Sequence, residues 1–160
     1  MINSGNLGKN LILIAKRLCA NQKLCKYLFY TDENPQSNED IENVQKTILN
    51  NNIKIVPIVK ETENNLQSTL CLVYPEVVLD SDNVSYVNVA LDVLIYVPLR
   101  QWIINEENLR PFSIISEVEE SLKGKTVEGV GRLVYNGFEL NLLTSELSCY
   151  KMSFRFDDFS

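Results

Sequence analysis

A chain of 160 residues with 15 basic and 21 acidic side chains, a net charge of −6 and 45% apolar residues has room for one domain with a real core and too little for two. It contains no histidine, which excludes Ser-His-Asp and Cys-His catalysis and nearly all mixed zinc sites. Its acidity argues against a phosphate-gripping groove, since every phosphate approached adds repulsion, and no apolar run approaches the ~20 residues that span a bilayer.

In chain order, Ser4 or Asn6 can cap a first helix whose apolar stripe is Leu7, Leu11, Ile14 and Leu18, with Ala15 and Cys19 beside it. Lys16-Arg17 interrupt the apolar stretch Leu11–Ala15 and no small-residue cleavage site follows, so it reads as an amphipathic helix rather than a signal peptide. Asn21 is a second N-cap, for a short helix carrying Leu24, Cys25 and Leu28 that ends near Phe29-Tyr30. A polar loop runs from Thr31 to Asn38. Asn38 is expected to cap a third helix bearing Ile41, Val44 and Ile48, with Glu39 and Asp40 in its first turn and Asn50-Asn51-Asn52 ending it.

Charge is unevenly spread here. Residues 1–30 carry Lys9, Lys16, Arg17, Lys23 and Lys26 and no acid; residues 31–50 carry Asp32, Glu33, Glu39, Asp40 and Glu42 against Lys46. Such a pattern is either a solvated helix face followed by a solvated loop, or a basic face that meets an acidic surface on a neighbouring subunit.

Ile53–Val59 reads as a strand that Pro57 confines to an edge or bulge. A polar turn follows, then a strand from Ser68 to Val78 kinked at Pro75. The longest alternation runs from Val84 to Val97. Val87, Val89, Leu91, Val93, Ile95 and Val97 share one face; Tyr86, Asn88, Ala90, Asp92, Leu94 and Tyr96 share the other. At about 3.3 Å per residue this strand spans about 46 Å, more than one small core needs, so its surplus is expected to be covered by another element or subunit. Pro98 ends it. Trp102 could belong to the core or to an interface, and the core is the expected place. Pro111 suits the first turn of a helix with Phe112, Ile114, Ile115, Val118 and Leu122 on one face and Gly124 as its C-cap. Asn136-Gly137 predicts a two-residue hairpin pairing Tyr135 with Phe138 and Leu133 with Leu140. The closing strand, Cys149–Phe156, points Tyr150, Met152, Phe154 and Phe156 inward.

These elements make an α+β fold: a mixed, mainly antiparallel sheet with a long central strand, packed against N-terminal helices and one mid-chain helix, with a C-terminal β-hairpin. The chain reads as a single domain over 1–160, helical over 1–50, with strands over 53–97, a helix over 111–123, and a hairpin and closing strand over 130–156.

Signals for chemistry are weak. Gly124-Lys125-Thr126 resembles the end of a phosphate-binding loop, but Glu119 stands where that loop needs glycine, and a helix precedes it rather than a strand. Gly129-Val130-Gly131 lacks the third glycine of a dinucleotide fingerprint. Asp92 in mid-strand is expected to face solvent or a cross-strand hydrogen-bond partner, or else a subunit contact or the lumen of a ring. Glu119-Glu120 and Asp157-Asp158 are adjacent carboxylates whose directions diverge. The cysteines Cys19, Cys25, Cys71 and Cys149 form no CxxC pair and read as reduced, mostly buried thiols. No cofactor and no metal is expected.

Several stretches in order carry a family likeness: L-C-K-Y-L-F-Y-T-D-E-N-P (Leu24–Pro35), D-V-L-I-Y-V-P (Asp92–Pro98), R-P-F-S-I-I (Arg110–Ile115), V-E-G-V-G-R-L-V-Y-N-G-F-E-L (Val127–Leu140) and Y-K-M-S-F-R-F (Tyr150–Phe156). Together they resemble the tail-terminator and neck, or head–tail connector, proteins of tailed bacteriophages. The resemblance implies a small α+β virion subunit without enzymatic activity or cofactor. It is made in the host cytoplasm and forms a ring of six or of twelve copies between the capsid connector and the tail tube. Its partners are then itself, neighbouring neck, connector or tail-tube proteins, and DNA passing through the lumen without sequence-specific binding; no membrane is involved. The residues expected at the subunit interface are Lys16, Arg17, Lys23, Lys26, Asp32, Glu33, Tyr86, Asn88, Asp92 and Tyr96. Two other readings stay open: a monomeric adaptor using the Ile53–Val59 edge, and a small hydrolase or nucleotide-handling enzyme depending on Lys125.

Overall fold

The N-terminal stripe winds as its period dictates. In the computed structural model, which describes residues 4–55, 67–79, 86–127 and 131–157, helix α1 (Ser4–Cys19) buries Leu11, Ile14, Ala15, Leu18 and Cys19 and exposes Lys9, Lys16 and Arg17. Asn21 caps α2 (Gln22–Phe29): its side-chain oxygen accepts the Leu24 N–H at 3.0 Å while Nδ2 donates to Ser121 Oγ at 2.9 Å, tying the cap to the mid-chain helix. The helix expected from Asn38 does not form. Asn38 Nδ2 instead donates to Asp32 Oδ2 at 2.9 Å and to the Asn34 and Pro35 carbonyls, closing the loop around a 3₁₀ turn, Pro35–Ser37. An asparagine side chain that finds backbone partners competes with helix initiation. Only one turn, α3 (Val44–Ile48), follows, yet Ile41 and Ile48 still reach the core.

Beyond it lie β1 (Ile53–Lys54), β2 (Thr69–Val73), β3 (Val77–Leu79), β4 (Tyr86–Pro98), β5 (Ile103–Ile104), β6 (Asn108–Leu109), α4 (Arg110–Leu122), β7 (Thr126–Val127), β8 (Gly131–Leu143) and β9 (Leu147–Asp157). The predicted strand around Pro75 is therefore two strands, β2 and β3, which pair with successive halves of β4. Pro57 and the turn after it lie outside the described residues. The main sheet has the order β1-β2-β4-β9-β8-β7, with β3 also on β4; β1 and β2 run parallel and the other pairs antiparallel. β4 is central. Val89, Leu91, Val93, Ile95 and Val97 are fully buried and share one core with α1, α2 and α4, where Ile114, Val118 and Leu122 meet them. Each such side chain contributes roughly 1.5–3 kcal/mol by leaving water. The surplus expected of β4 is absent from its described core face, which the helices cover.

The hairpin differs most from expectation. Asn136-Gly137 is not its turn. β8 runs through that dipeptide: Tyr135 pairs with Phe154 and Phe138 with Met152, so Asn136 and Gly137 together oppose Ser153 as a β-bulge. Gly137 takes φ +101°, which a bulge can use as readily as a turn, whereas Asn136 does not adopt the positive φ of a type I′ turn. The chain reverses at Thr144–Glu146, where Thr144 Oγ1 accepts the Glu146 and Leu147 N–H groups at 3.2 and 3.0 Å and the Thr144 N–H donates to Leu147 O at 2.8 Å. A second irregularity leaves Asn141 extra between the pairs Leu140–Tyr150 and Leu142–Cys149. Each extra residue flips which side chains face the helices. Leu133 and Tyr135 do so before the first bulge, Phe138 and Leu140 after it, and Leu143 after the second.

Candidate interaction surface

This change of phase builds an apolar surface. Past the bulge the helix side of β9 stays covered, with Met152 and Ser148 fully buried, but the β8 side chains paired beside it are about half in water. Leu140 is 50% exposed, Leu143 58% and Phe138 45%. Phe112, expected in the core, is 38% exposed and lies on this surface instead. It is the first aromatic of α4, and the helix stripe is buried from Ile114 onward. Its ring packs against Tyr150 (5.3 Å between centroids), Phe138 (6.2 Å) and Trp102 (6.5 Å), while Phe138 and Tyr150 meet edge-on at 5.9 Å. Trp102 is half-buried and packs against the core; its indole N–H donates to the buried Ser148 Oγ at 3.0 Å, and Ser148 in turn donates to Val97 O. A contiguous aromatic and aliphatic patch of this kind marks an interaction site more often than bare solvent-facing surface.

Three acids lie in the turns that follow Trp102 and Leu143. Glu106 and Glu107 occupy the exposed turn between β5 and β6, and Glu146 the turn between β8 and β9; Arg100 is the cation beside them. A depression of about 280 Å³ next to Phe112 is lined by Tyr27, Asn108, Ser113, Ser116 and Glu117. The Ser113 hydroxyl there is buried and has no hydrogen-bond partner among the described residues.

Directly beneath, Arg110 locks the helices together. It opens α4 and is completely buried, without a carboxylate partner in its hydrogen bonds. Nε donates to Gln101 O at 2.8 Å, Nη1 to Tyr27 O at 2.5 Å and Tyr30 O at 2.9 Å, and Nη2 to Asp32 O at 2.6 Å. Two of these carbonyls belong to the C-terminal end of α2, whose last carbonyls have no partner within the helix. The rigid guanidinium fork thus ties α2, the acidic loop and the approach to α4 at one point. Nothing in the sequence singled Arg110 out; the only signal was a cation just before Pro111, at a helix start where a cation is otherwise unfavourable.

The residues expected at a subunit interface do not form one surface. Lys16 and Arg17 are exposed on α1 and Lys23 on α2. Lys26 is buried and its ammonium sits 2.9 Å from Asp40 of the same chain, so part of the expected charge complementarity is satisfied internally. Asp32 is occupied by Asn34 N and Asn38 Nδ2, and the Glu33 carbonyl accepts the Asn105 N–H. Tyr86 begins β4, its side chain outside the described residues; Asn88 is exposed. Asp92 and Tyr96 are half-buried on the sheet face away from the helices. Burial raises the Asp92 carboxyl above its ordinary range against the opposing pull of Lys151 and the Ser153 hydroxyl. Ser153 lies directly across on β9, the cross-strand partner expected of an acid in mid-strand.

All four cysteines are free and buried. Burial pushes the Cys19 thiol up to about 11 and the Cys25 thiol up to about 12, and raises those of Cys71 and Cys149, which removes the thiolate a nucleophile needs. Among the described residues no group of His, Cys, Asp and Glu could hold a metal, and no helix is long and apolar enough to cross a membrane.

A comparison with curated proteins gave no match. The YomW family profile matches residues 21–156, from the cap of α2 to the end of the closing strand. That name comes from a phage-region, SPbeta-like protein of Bacillus and suggests a phage origin. The chain belongs to the YomW family.

Proposed function

We propose that this protein is a structural subunit of a tailed-phage virion, a tail terminator or neck component that assembles into a ring joining the capsid connector to the tail and surrounding the DNA channel. The observation that carries the reading is the half-exposed apolar surface of the β8–β9 hairpin (Phe138, Leu140 and Leu143), joined to a core that is otherwise closed by α1, α2 and α4. Apolar surface of that kind is stabilised by association. The phage-associated family and the sequence likeness to neck proteins support the same direction. In this reading the chain performs no catalysis and uses no cofactor, and its acidic surface lets DNA slide past without a grip.

Light scattering and negative-stain microscopy of the purified full chain test it. Closed rings of one size are the expected result; a monomer at every concentration reached would overturn the ring. The same surface also suits a monomeric adaptor that docks on a different virion protein, and a monomer that binds such a protein stoichiometrically would favour that reading.

A further inference from the structure

We infer that the outer ridge of α1 on one copy docks on the hairpin patch of the next, so that two different faces of the same chain meet. The inference rests on the ring reading above and names its two surfaces. α1 carries a second, smaller apolar feature opposite its buried stripe: Ile12 and Leu13, each 38% exposed, between Lys9 one turn before and Lys16 and Arg17 one turn after. With no acid in residues 1–30, the complement of this ridge is an apolar surface with acids near it.

The hairpin patch has that composition. Phe138, Leu140 and Leu143 provide its exposed apolar side chains; Glu146 lies in the turn that joins β8 to β9, and Glu106 and Glu107 lie in the β5–β6 turn a few residues after Trp102. In the depression beside Phe112, the half-buried Glu117 carboxylate, which accepts from Asn21 Nδ2, adds one more negative charge near the patch. Apolar burial then supplies the attraction, and the nearby charges set orientation and register. Ridge and patch lie on different elements, so the contact is heterologous: it repeats head to tail and closes when the rotation between copies allows.

Two full-length variants each disable one face: Ile12→Asp with Leu13→Asp on the ridge, and Leu140→Asp with Leu143→Asp on the patch. All four side chains are substantially exposed, and circular-dichroism melting checks that both variants keep the wild-type fold. In sedimentation velocity the wild type associates, and each variant alone runs as a monomer. Their equimolar mixture forms a one-to-one dimer that grows no further, because one intact ridge meets one intact patch. In a second pair, Lys16→Glu with Arg17→Glu weakens association about tenfold, the effect of losing roughly 1.4 kcal/mol. Adding Glu106→Lys with Glu107→Lys restores it to within about threefold, roughly 0.65 kcal/mol.

A ridge variant that assembles like the wild type, or a variant mixture that stays monomeric, overturns this contact while leaving the ring reading intact. A patch variant that still forms rings but loses a different virion protein overturns it too, and hands the patch to that protein. A wild type that never associates removes the ring reading itself.

Discussion

The Arg110 junction and the distal half of the hairpin lie side by side, and they treat their surfaces in opposite ways. At the junction a charged side chain is wholly buried and its donors reach four backbone carbonyls. On the hairpin, Phe138, Leu140 and Leu143 remain about half in water, and Phe138 packs on Phe112, two residues after Arg110. The Arg110 N–H even donates to Trp102 O at 2.6 Å, so the rigid knot holds the edge of the patch in place. The difference separates two jobs within one small subunit. The knot belongs to folding, because its partners lie in the same chain. The patch is the part we propose for assembly, because Phe138, Leu140 and Leu143 stay about half in water. Substitutions at the two places are therefore expected to move different observables.

The largest effect is expected at the knot. Arg110→Met keeps the bulk and removes every donor, leaving the Tyr27, Tyr30, Asp32 and Gln101 carbonyls short of partners. Each buried, unsatisfied group costs about 1–3 kcal/mol, so a loss of about 3–5 kcal/mol in chemical denaturation is expected once water reaches some of them, a large part of the stability of an ordinary domain. Arg110→Lys keeps the charge but cannot span four acceptors, and its loss is expected to be about half as large. Leu140→Asp with Leu143→Asp, by contrast, changes stability by no more than about 1 kcal/mol, as exposed substitutions do, while abolishing association. An Arg110→Met variant with unchanged stability would dissolve the distinction between the two regions.

The bulge connects them, and Gly137 is the residue to test. No atom would contact an added Cβ there, so the cost of Gly137→Ala comes from its φ of +101° alone: about 1–2 kcal/mol. Because the bulge turns Phe138 and Leu140 toward the helix side, association should weaken along with stability. That coupling, read by melting and sedimentation on the same sample, distinguishes the bulge from both the knot and the patch.

Gly137 also marks where the sequence became misleading. The elements with one strong local signal were legible: the α1 stripe, the Asn21 cap, the valine-rich face of β4 and the alternation of β9 each follow from period and capping chemistry. Asn-Gly between two apolar runs satisfies the rule for a tight hairpin equally well, and only the partner strand decides. β9 is long enough to pair with all of β8, so the dipeptide became a bulge and the reversal moved to Thr144. The trace left in the sequence is a slip in phase, from Leu133 and Tyr135 to Phe138 and Leu140 and then to Leu143, where a single straight strand would keep one parity. The patch was hidden for the same reason, since a turn at Asn136-Gly137 places Phe138 and Leu140 opposite Tyr135 and Leu133 rather than past a bulge on the same strand. Charge proved a poorer guide. Lys26 and Asp40 suggested a contact between subunits, yet they pair within one chain, which composition alone cannot distinguish.

The smallest expected effect lies on the opposite face of the sheet, which the sequence proposed as the subunit contact. Asp92 sits between Val73 on β2 and Ser153 on β9, near Lys151 and Glu139. Burial outweighs the attraction of Lys151 and the Ser153 hydrogen bond, so the carboxyl is raised and the folded state disfavours its charge. Asp92→Asn keeps an acceptor for Ser153 and removes that charge, and a gain of about 0.5 kcal/mol at pH 7 is expected. A carboxyl raised on folding holds its proton more tightly in the folded state. Its contribution is therefore favourable below the unfolded carboxylate range and is lost as the pH rises through the folded one. The advantage of Asp92→Asn is thus present at neutral pH and shrinks on acidification, and the two melting curves should converge near pH 3. Were the variant less stable at pH 7, the pairing with Lys151 would dominate over burial. Were it instead to lose assembly while keeping its melting temperature, this face, and not the hairpin, would carry the contact between copies.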